Sequence, residues 1–410
     1  DKAKNVGAPY KYLANANVRW GSFDYSDIRE TLFTPEEVEK FDLREGDVVM
    51  CEGGVPGRCA VWQSEVADMK FQKAVHRLRS SVLTPLLIQN FFAYAVNTDW
   101  FKAKFTGTTI KHLPREALIS ILIPISPIAE QKRIVAKIEE LFAEVEKIAN
   151  AKDGITHTAE RINKKVLNLA IRGQLVPQDA SDEPAAELLK RIAEARQKAT
   201  SGRSRVSGKD SGSIIFRGAD RSAYETRNGK TVCIDDEIPF DTPDSWAWAR
   251  LESVVQFLSG NTPSKDLFAK HGIPYFKVAE MNLPGNEKYL FYTELHIHPS
   301  ASVKVFPSNT IVFPKNGGAL LTNKKRILVQ ESVCDLNTGG LFPHVADVCE
   351  YLFAWFASID LSKYVKGGVI PTTDADRLRN TLIPLPPLAE QKRIVARIEE
   401  VRKLTQSLTK

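Results

Sequence analysis

Few residues in this sequence sit at a spacing that would let them do chemistry. Gly202-RSRVS-Gly208-Lys209-Asp210 approaches a phosphate-binding P-loop. It has five residues between the glycines instead of four, however, and an aspartate where a Ser or Thr would hold magnesium. No buried strand precedes it, and no GxGxxG follows a strand elsewhere. The Asn-Pro-Pro-aromatic tetrapeptide with which DNA amino-methyltransferases grip a flipped base does not occur. His296 and His298 have no Cys or clustered carboxylate nearby to complete a metal site. Cys51 and Cys59 read as packing residues rather than nucleophiles. The chain reads as a binder, with no catalytic site and no metal.

The binding chemistry lies in glycine-containing basic loops. GGVPGR spans Gly53–Arg58 and KNGGALLTNKKR spans Lys315–Arg326. A third loop, FKAKFTGTTIKHL (Phe101–Leu113), has a counterpart in LSKYVKGGVIPTT (Leu361–Thr373). Glycine lets a backbone approach a phosphate, and Lys or Arg neutralises its charge. The candidate contacts are Arg58, Lys102, Lys104, Thr106 and Thr108 in the first half of the chain. In the second half they are Lys315, Asn316, Lys324, Lys325, Lys363 and Lys366.

An internal repeat positions these loops. AEQKRIVAKIEE at Ala129–Glu140 returns as AEQKRIVARIEE at Ala389–Glu400, eleven of twelve positions being identical. FFAYAVNTD (Phe91–Asp99) parallels LFAWFASID (Leu352–Asp360), GDVVMCEGG parallels NTIVFPKNGG, and PYKYLANAN parallels PYFKVAEMN. The offset drifts from 265 to 260 along the chain, as expected when loops of a duplicated domain absorb length changes. The opening PFDTPDSWAWARL (Pro239–Leu251) has no counterpart before Pro9. Each copy mixes short β-like runs (Asp47–Met50, Thr310–Phe313, Ile327–Val329) with aromatic-rich helical stretches (Leu87–Trp100, Cys349–Ile359), which predicts an α+β domain.

Each copy ends in a heptad helix. Apolar residues at alternating steps of four and three give a seam of Ile134, Ile138, Leu141, Val145, Ile148, Ile155, Ile162, Val166 and Leu169. The second copy repeats it with Ile394, Ile398, Val401 and Leu408, broken at Thr405. Period 3.5 over more than four heptads predicts a coiled coil, the two matching seams packing on each other. The first helix is expected from Ala129 to about Gly173, with a bend permitted at Gly154. A further helix is expected over Ala185–Ala199, with Asp182 as N-cap and Pro184 in its first turn. Thr200–Ser213 reads as a flexible linker.

Composition limits the alternatives. The chain has 410 residues, 43% apolar and 26% charged, with 56 Lys plus Arg against 50 Asp plus Glu. That suits two or three globular domains and permits a polyanionic partner. No apolar run approaches the roughly 18–20 residues that span a bilayer. The opening shows no signal-peptide pattern, and five cysteines without a CxxC pair fit a reducing cytoplasm.

Two variable domains, each closing with L-I-P-x-x-P-[IL]-A-E-Q-K-R-I-V-A and a heptad helix, resemble the specificity subunit of Type I restriction–modification enzymes. Gly173–Ile192 resembles that family's central conserved region. The resemblance implies two target recognition domains, each reading half of a bipartite site on double-stranded DNA. Long conserved helices in an antiparallel coiled coil would set their spacing. The divisions are then 1–125 and 238–387 for the recognition domains, 126–200 for the central helical region, 201–237 for a linker and lead-in, and 388–410 for the final helix. The resemblance also implies partners: two modification subunits using S-adenosylmethionine, and restriction subunits using ATP and Mg. The competing expectation is a coiled-coil protein scaffold without sequence-specific DNA binding.

Overall fold

The computed structural model describes residues 7–72, 74–201, 212–299, 301–368 and 370–409. The chain divides into two compact units, Asp1–Ala151 and Lys152–Lys410. The P-loop-like run lies outside the described residues, as does most of the linker.

In the first unit the strand Val48–Cys51 is buried on both faces. It pairs antiparallel with Cys59–Val61 and Val75–Leu78. Because strand side chains alternate, Val49 and Cys51 enter one core with Leu13, Phe33 and Trp62. Val48 and Met50 enter another with Ile88, Phe92 and Phe101 from the helical segments Pro85–Ala95 and Asp99–Lys102. A second sheet places Ala8–Leu13 between Arg29–Phe33 (antiparallel) and Lys70–Phe71 (parallel).

The second unit repeats this plan. Ile311–Pro314 is likewise buried on both faces and is the middle strand of a five-stranded sheet. The helix Cys349–Ser358 packs on that sheet through Tyr351, Leu352 and Phe356. The copies share details a sequence comparison does not reach. Leu113 N–H donates to the Glu52 carbonyl at 2.7 Å, and Thr373 N–H to the Lys315 carbonyl at 2.9 Å. Gly54 and Gly317 both adopt left-handed backbone, with φ of 75° and 72°, where a Cβ would be strained. One difference concerns the closing strand. Leu382–Leu385 pairs with Ala247–Arg250, whereas the equivalent Leu122 is 91% exposed.

Three helices form where the sequence predicts them, with shifted ends: Ile128–Ile171, Ala185–Ser201 and Leu388–Thr409. The first runs unbroken through Gly154. Asp182 does not cap the second, which starts at Ala185; its carboxylate instead binds Arg393 at 2.7 and 3.2 Å. Within the stretch read as linker and lead-in, Ile214–Arg217, Ala223–Arg227 and Lys230–Cys233 form an antiparallel three-stranded sheet. Arg250 fastens that sheet by a buried ion pair to Glu225.

In the second unit the heptad seam is used only in part. Ile394 and Ile398 are buried in the core that Val166 and Leu167 also pack against. Thr405, the break in the heptads, is buried and donates to Asn163 Oδ1 at 3.2 Å. Leu167 lies beside Val395 and Ile398 while Asn163 meets Thr405, so the two helices run antiparallel. Val401 and Leu169 are half-buried. Ile155 and Ile162 face solvent; so, in the first unit, do Leu141, Val145 and Ile148, with Ile134 and Ile138 half-buried.

Candidate nucleic-acid interface

The domain-to-helix joint explains why AEQKRI recurs. Gln131 Nε2 donates to the Ser126 carbonyl at 2.8 Å and to the Val82 carbonyl at 2.9 Å, while its Oε1 accepts the Thr84 N–H. Gln391 Nε2 makes the equivalent bond to the Pro386 carbonyl at 2.9 Å. Each glutamine is fully buried and ties a helix start to the chain entering it. In the second unit Glu390 adds bonds from Trp246 Nε1 and Gln178 Nε2. Burial raises its carboxyl above the usual carboxylate range. The joint ties each globular part to the start of its helix.

The candidate contact residues fall into three groups. The first stays available. Lys363 and Thr108 are exposed, and the ammonium groups of Lys102 and Lys104 donate to the Asn97 carbonyl and to Ser120 Oγ, each at 3.2 Å. Thr106 is exposed at a turn whose backbone is bridged twice to His112. Lys324 touches Asn282 Oδ1, and Asn316 is half-buried beside the Thr372 bridge. Lys366 lies 3.6 and 3.9 Å from Asp374 and Asp376, which partly neutralise it.

The second group is consumed by the fold. Lys325 is 4% exposed; its ammonium donates to the Ile359 carbonyl at 2.6 Å and to Asn323 Oδ1 at 2.9 Å. Burial pushes its pKa down to about 7. A side chain sealed beneath the surface cannot meet a phosphate, so Lys325 is not a contact residue. Its neighbour Arg326 is likewise spent on the carbonyls of Met281 and Asn286. Arg58 donates to the Asn15 carbonyl at 2.9 Å, which fixes it to the neighbouring loop.

The third group is Lys315 with a neighbour the sequence does not reveal. Lys315 Nζ donates to Ser259 Oγ, and Lys304 Nζ to the Ser259 carbonyl at 2.8 Å. Burial lowers the Lys315 pKa, and the Lys304 charge lowers it further. In the first unit an open hollow of about 1060 Å³ is rimmed by Lys40, His76, Arg77, Arg79 and Arg115. None of these stands in a glycine-containing loop, so no sequence motif marks them.

Similarity to known proteins agrees with this layout. The EcoAI specificity subunit of Escherichia coli is 26% identical over 276 residues, covering 64% of this chain and 44% of that subunit. The EcoEI subunit, also from Escherichia coli, is 21% identical over 277 residues, covering 61% of this chain and 41% of its own length. This chain therefore spans less than half of either relative. The fold matches the HsdS subunit from Thermoanaerobacter tengcongensis with a TM-score of 0.54, at 17% identity over 98% of this chain and 85% of that one. A chain from a study of complex assembly and conformational transition of the type I R-M system matches with a TM-score of 0.64, at 17% identity over 98% and 86%. Residues 16–157 and 243–410 both match the Type I restriction modification DNA specificity domain, one match per repeat. The chain belongs to that family.

Proposed function

We propose that this chain is the sequence-recognition subunit of a Type I restriction–modification complex, each recognition domain reading half of a bipartite site on double-stranded DNA. The observation that carries the reading is the duplication itself. Two copies of one α+β domain each enter a helix through the same buried glutamine, Gln131 or Gln391. Two related surfaces on rigid mounts suit two half-sites on one duplex. Lysines would position the backbone while polar side chains read base edges.

In this reading the chain has no catalysis of its own. S-adenosylmethionine would sit on two modification subunits, and ATP and Mg on restriction subunits; the helices offer those partners a long exposed surface. The place of action is the cytoplasm, and no described helix is long and apolar enough to cross a membrane. Duplex binding by the purified chain, measured against salt, tests the reading. Affinity that falls steeply with salt and discriminates between sequences supports it. A chain that binds modification subunits but no DNA would be a protein scaffold, and one that alone binds S-adenosylmethionine would be a methyltransferase.

A further inference from the structure

Two like charges converge on one serine in the second unit. Ser259 ends the strand Val255–Ser259 and is exposed. Its carbonyl takes the Lys304 ammonium and its hydroxyl the Lys315 ammonium. Neither lysine forms an ion pair with a carboxylate among the described residues. The acid that Lys315 senses, Asp335, is buried and accepts the Thr338 hydroxyl at 2.5 Å.

The arrangement is fixed by backbone. A Cβ on Gly260 would lie 2.1 Å from the Asp335 carbonyl oxygen, so Ser259 is pinned where the chain passes hard against its neighbour. Lys315 follows Ile311–Pro314, and its N–H donates to the Asn337 carbonyl at 2.8 Å. Both strands belong to one sheet, which fixes Ser259 and the start of Lys315, while Lys304 reaches them from the irregular stretch 301–305. The Lys304 charge weighs on Lys315 more than the buried Asp335 carboxylate relieves it, a cost in free energy that an anion between the two cations would recover.

We infer that Lys304, Ser259 and Lys315 form a seat for a phosphodiester oxyanion of the DNA backbone, a contact peculiar to the second recognition domain. The inference rests on the DNA-binding reading above. The first domain lacks this seat because the position of Lys315 is occupied there by Glu52, whose carbonyl accepts the equivalent backbone bond. A carboxylate repels phosphate. The duplicated domains therefore grip the duplex differently at the same strand end.

The experiment uses the full chain and its K304Q, K315Q and K315R variants. Each is titrated with cognate and unrelated duplexes across a salt series. Each glutamine variant should reduce the slope of log affinity against log salt by about one unit, equally on both duplexes. K315R, which keeps the charge, should retain the slope. Unchanged slopes in both glutamine variants would overturn the inference, as would a loss confined to the cognate duplex, which would mean base contact.

Amine acylation of the wild-type chain, mapped by mass spectrometry, separates this inference from the reading beneath it. Duplex DNA should protect Lys304 and Lys315. Salt-sensitive duplex binding that leaves both lysines reactive would overturn the seat and spare the reading. Protection by inorganic phosphate in a chain that ignores duplex DNA would keep the anion seat and overturn its assignment to DNA. Failure of both probes would overturn both.

Discussion

The carboxylate of Glu390 takes the indole N–H of Trp246 at 2.9 Å, in a site where Glu390 itself has no solvent exposure. Trp246 precedes the strand Ala247–Arg250, and Glu390 opens the final helix. The bond thus ties the start of the strand Ala247–Arg250 to the final helix. Gln178 and the Asp182–Arg393 pair add the central region to the same knot.

That geometry has a pH signature. Burial raises the Glu390 carboxyl above its unfolded value of about 4.5. The folded state therefore favours the protonated form, and this contribution is complete below about pH 4.5 and is lost as pH rises through the folded pKa. Glu390→Gln, neutral throughout, should gain on the wild type over that window, and denaturant unfolding at a series of pH values measures the difference. Glu390→Ala should instead destabilise by about 1–3 kcal/mol, since it strands the Trp246 donor. A Gln variant whose difference from wild type is flat with pH would refute the protonation argument.

Lys325 titrates in the opposite sense. Its folded pKa falls from 10.5 to about 7, so it contributes stability above its unfolded pKa that is lost as pH falls from about 10.5 through 7. Lys325→Met should flatten that part of the stability profile and leave DNA affinity and its salt slope unchanged. Lys324→Gln should leave stability alone and lower the slope by about one unit. Equal effects of the two substitutions on DNA binding would contradict the burial argument.

Recognition should be modular, provided the exchange respects the sheet. Ala247–Arg250 pairs with Leu382–Leu385, so a substitution of residues 251–381 by those of a relative leaves that pair intact. Methylation by the chimaera should change one half-site and keep the other. A change in both half-sites would show that the domains do not read independently.

The helices should act as a spacer. A heptad inserted into both helices keeps each apolar residue in its seam and adds roughly 10 Å at about 1.5 Å per residue. The gap between half-sites should lengthen by up to about three base pairs at about 3.4 Å each. An active mutant retaining the original gap would leave the helices as a dock for partners only.

Much of this architecture is legible in the sequence because it is local or repeated. Heptads locate the helices to within a few residues, and runs such as Val48–Cys51 and Ile311–Pro314 announce buried strands by their composition. The candidate site is legible only in outline. Lys324 and Lys325 are adjacent in one basic loop, yet the backbone sends one to the surface and the other beneath Phe356, 5.0 Å from its ring. Ser259, Lys304 and Lys315 share no motif; the sheet brings Ser259 and Lys315 together, and Lys304 joins them from an irregular stretch. Asp182 has the residue type of an N-cap, but a guanidinium brought by the distant Arg393 outcompetes the nearby backbone N–H groups.

Methylation sequencing of cells carrying this chain with a Type I modification subunit tests the central claim most directly. Two short specific half-sites separated by a fixed run of unspecified bases are expected, with both lost when the chain is deleted. A single continuous motif, or methylation that persists without the chain, would contradict recognition by two duplicated domains.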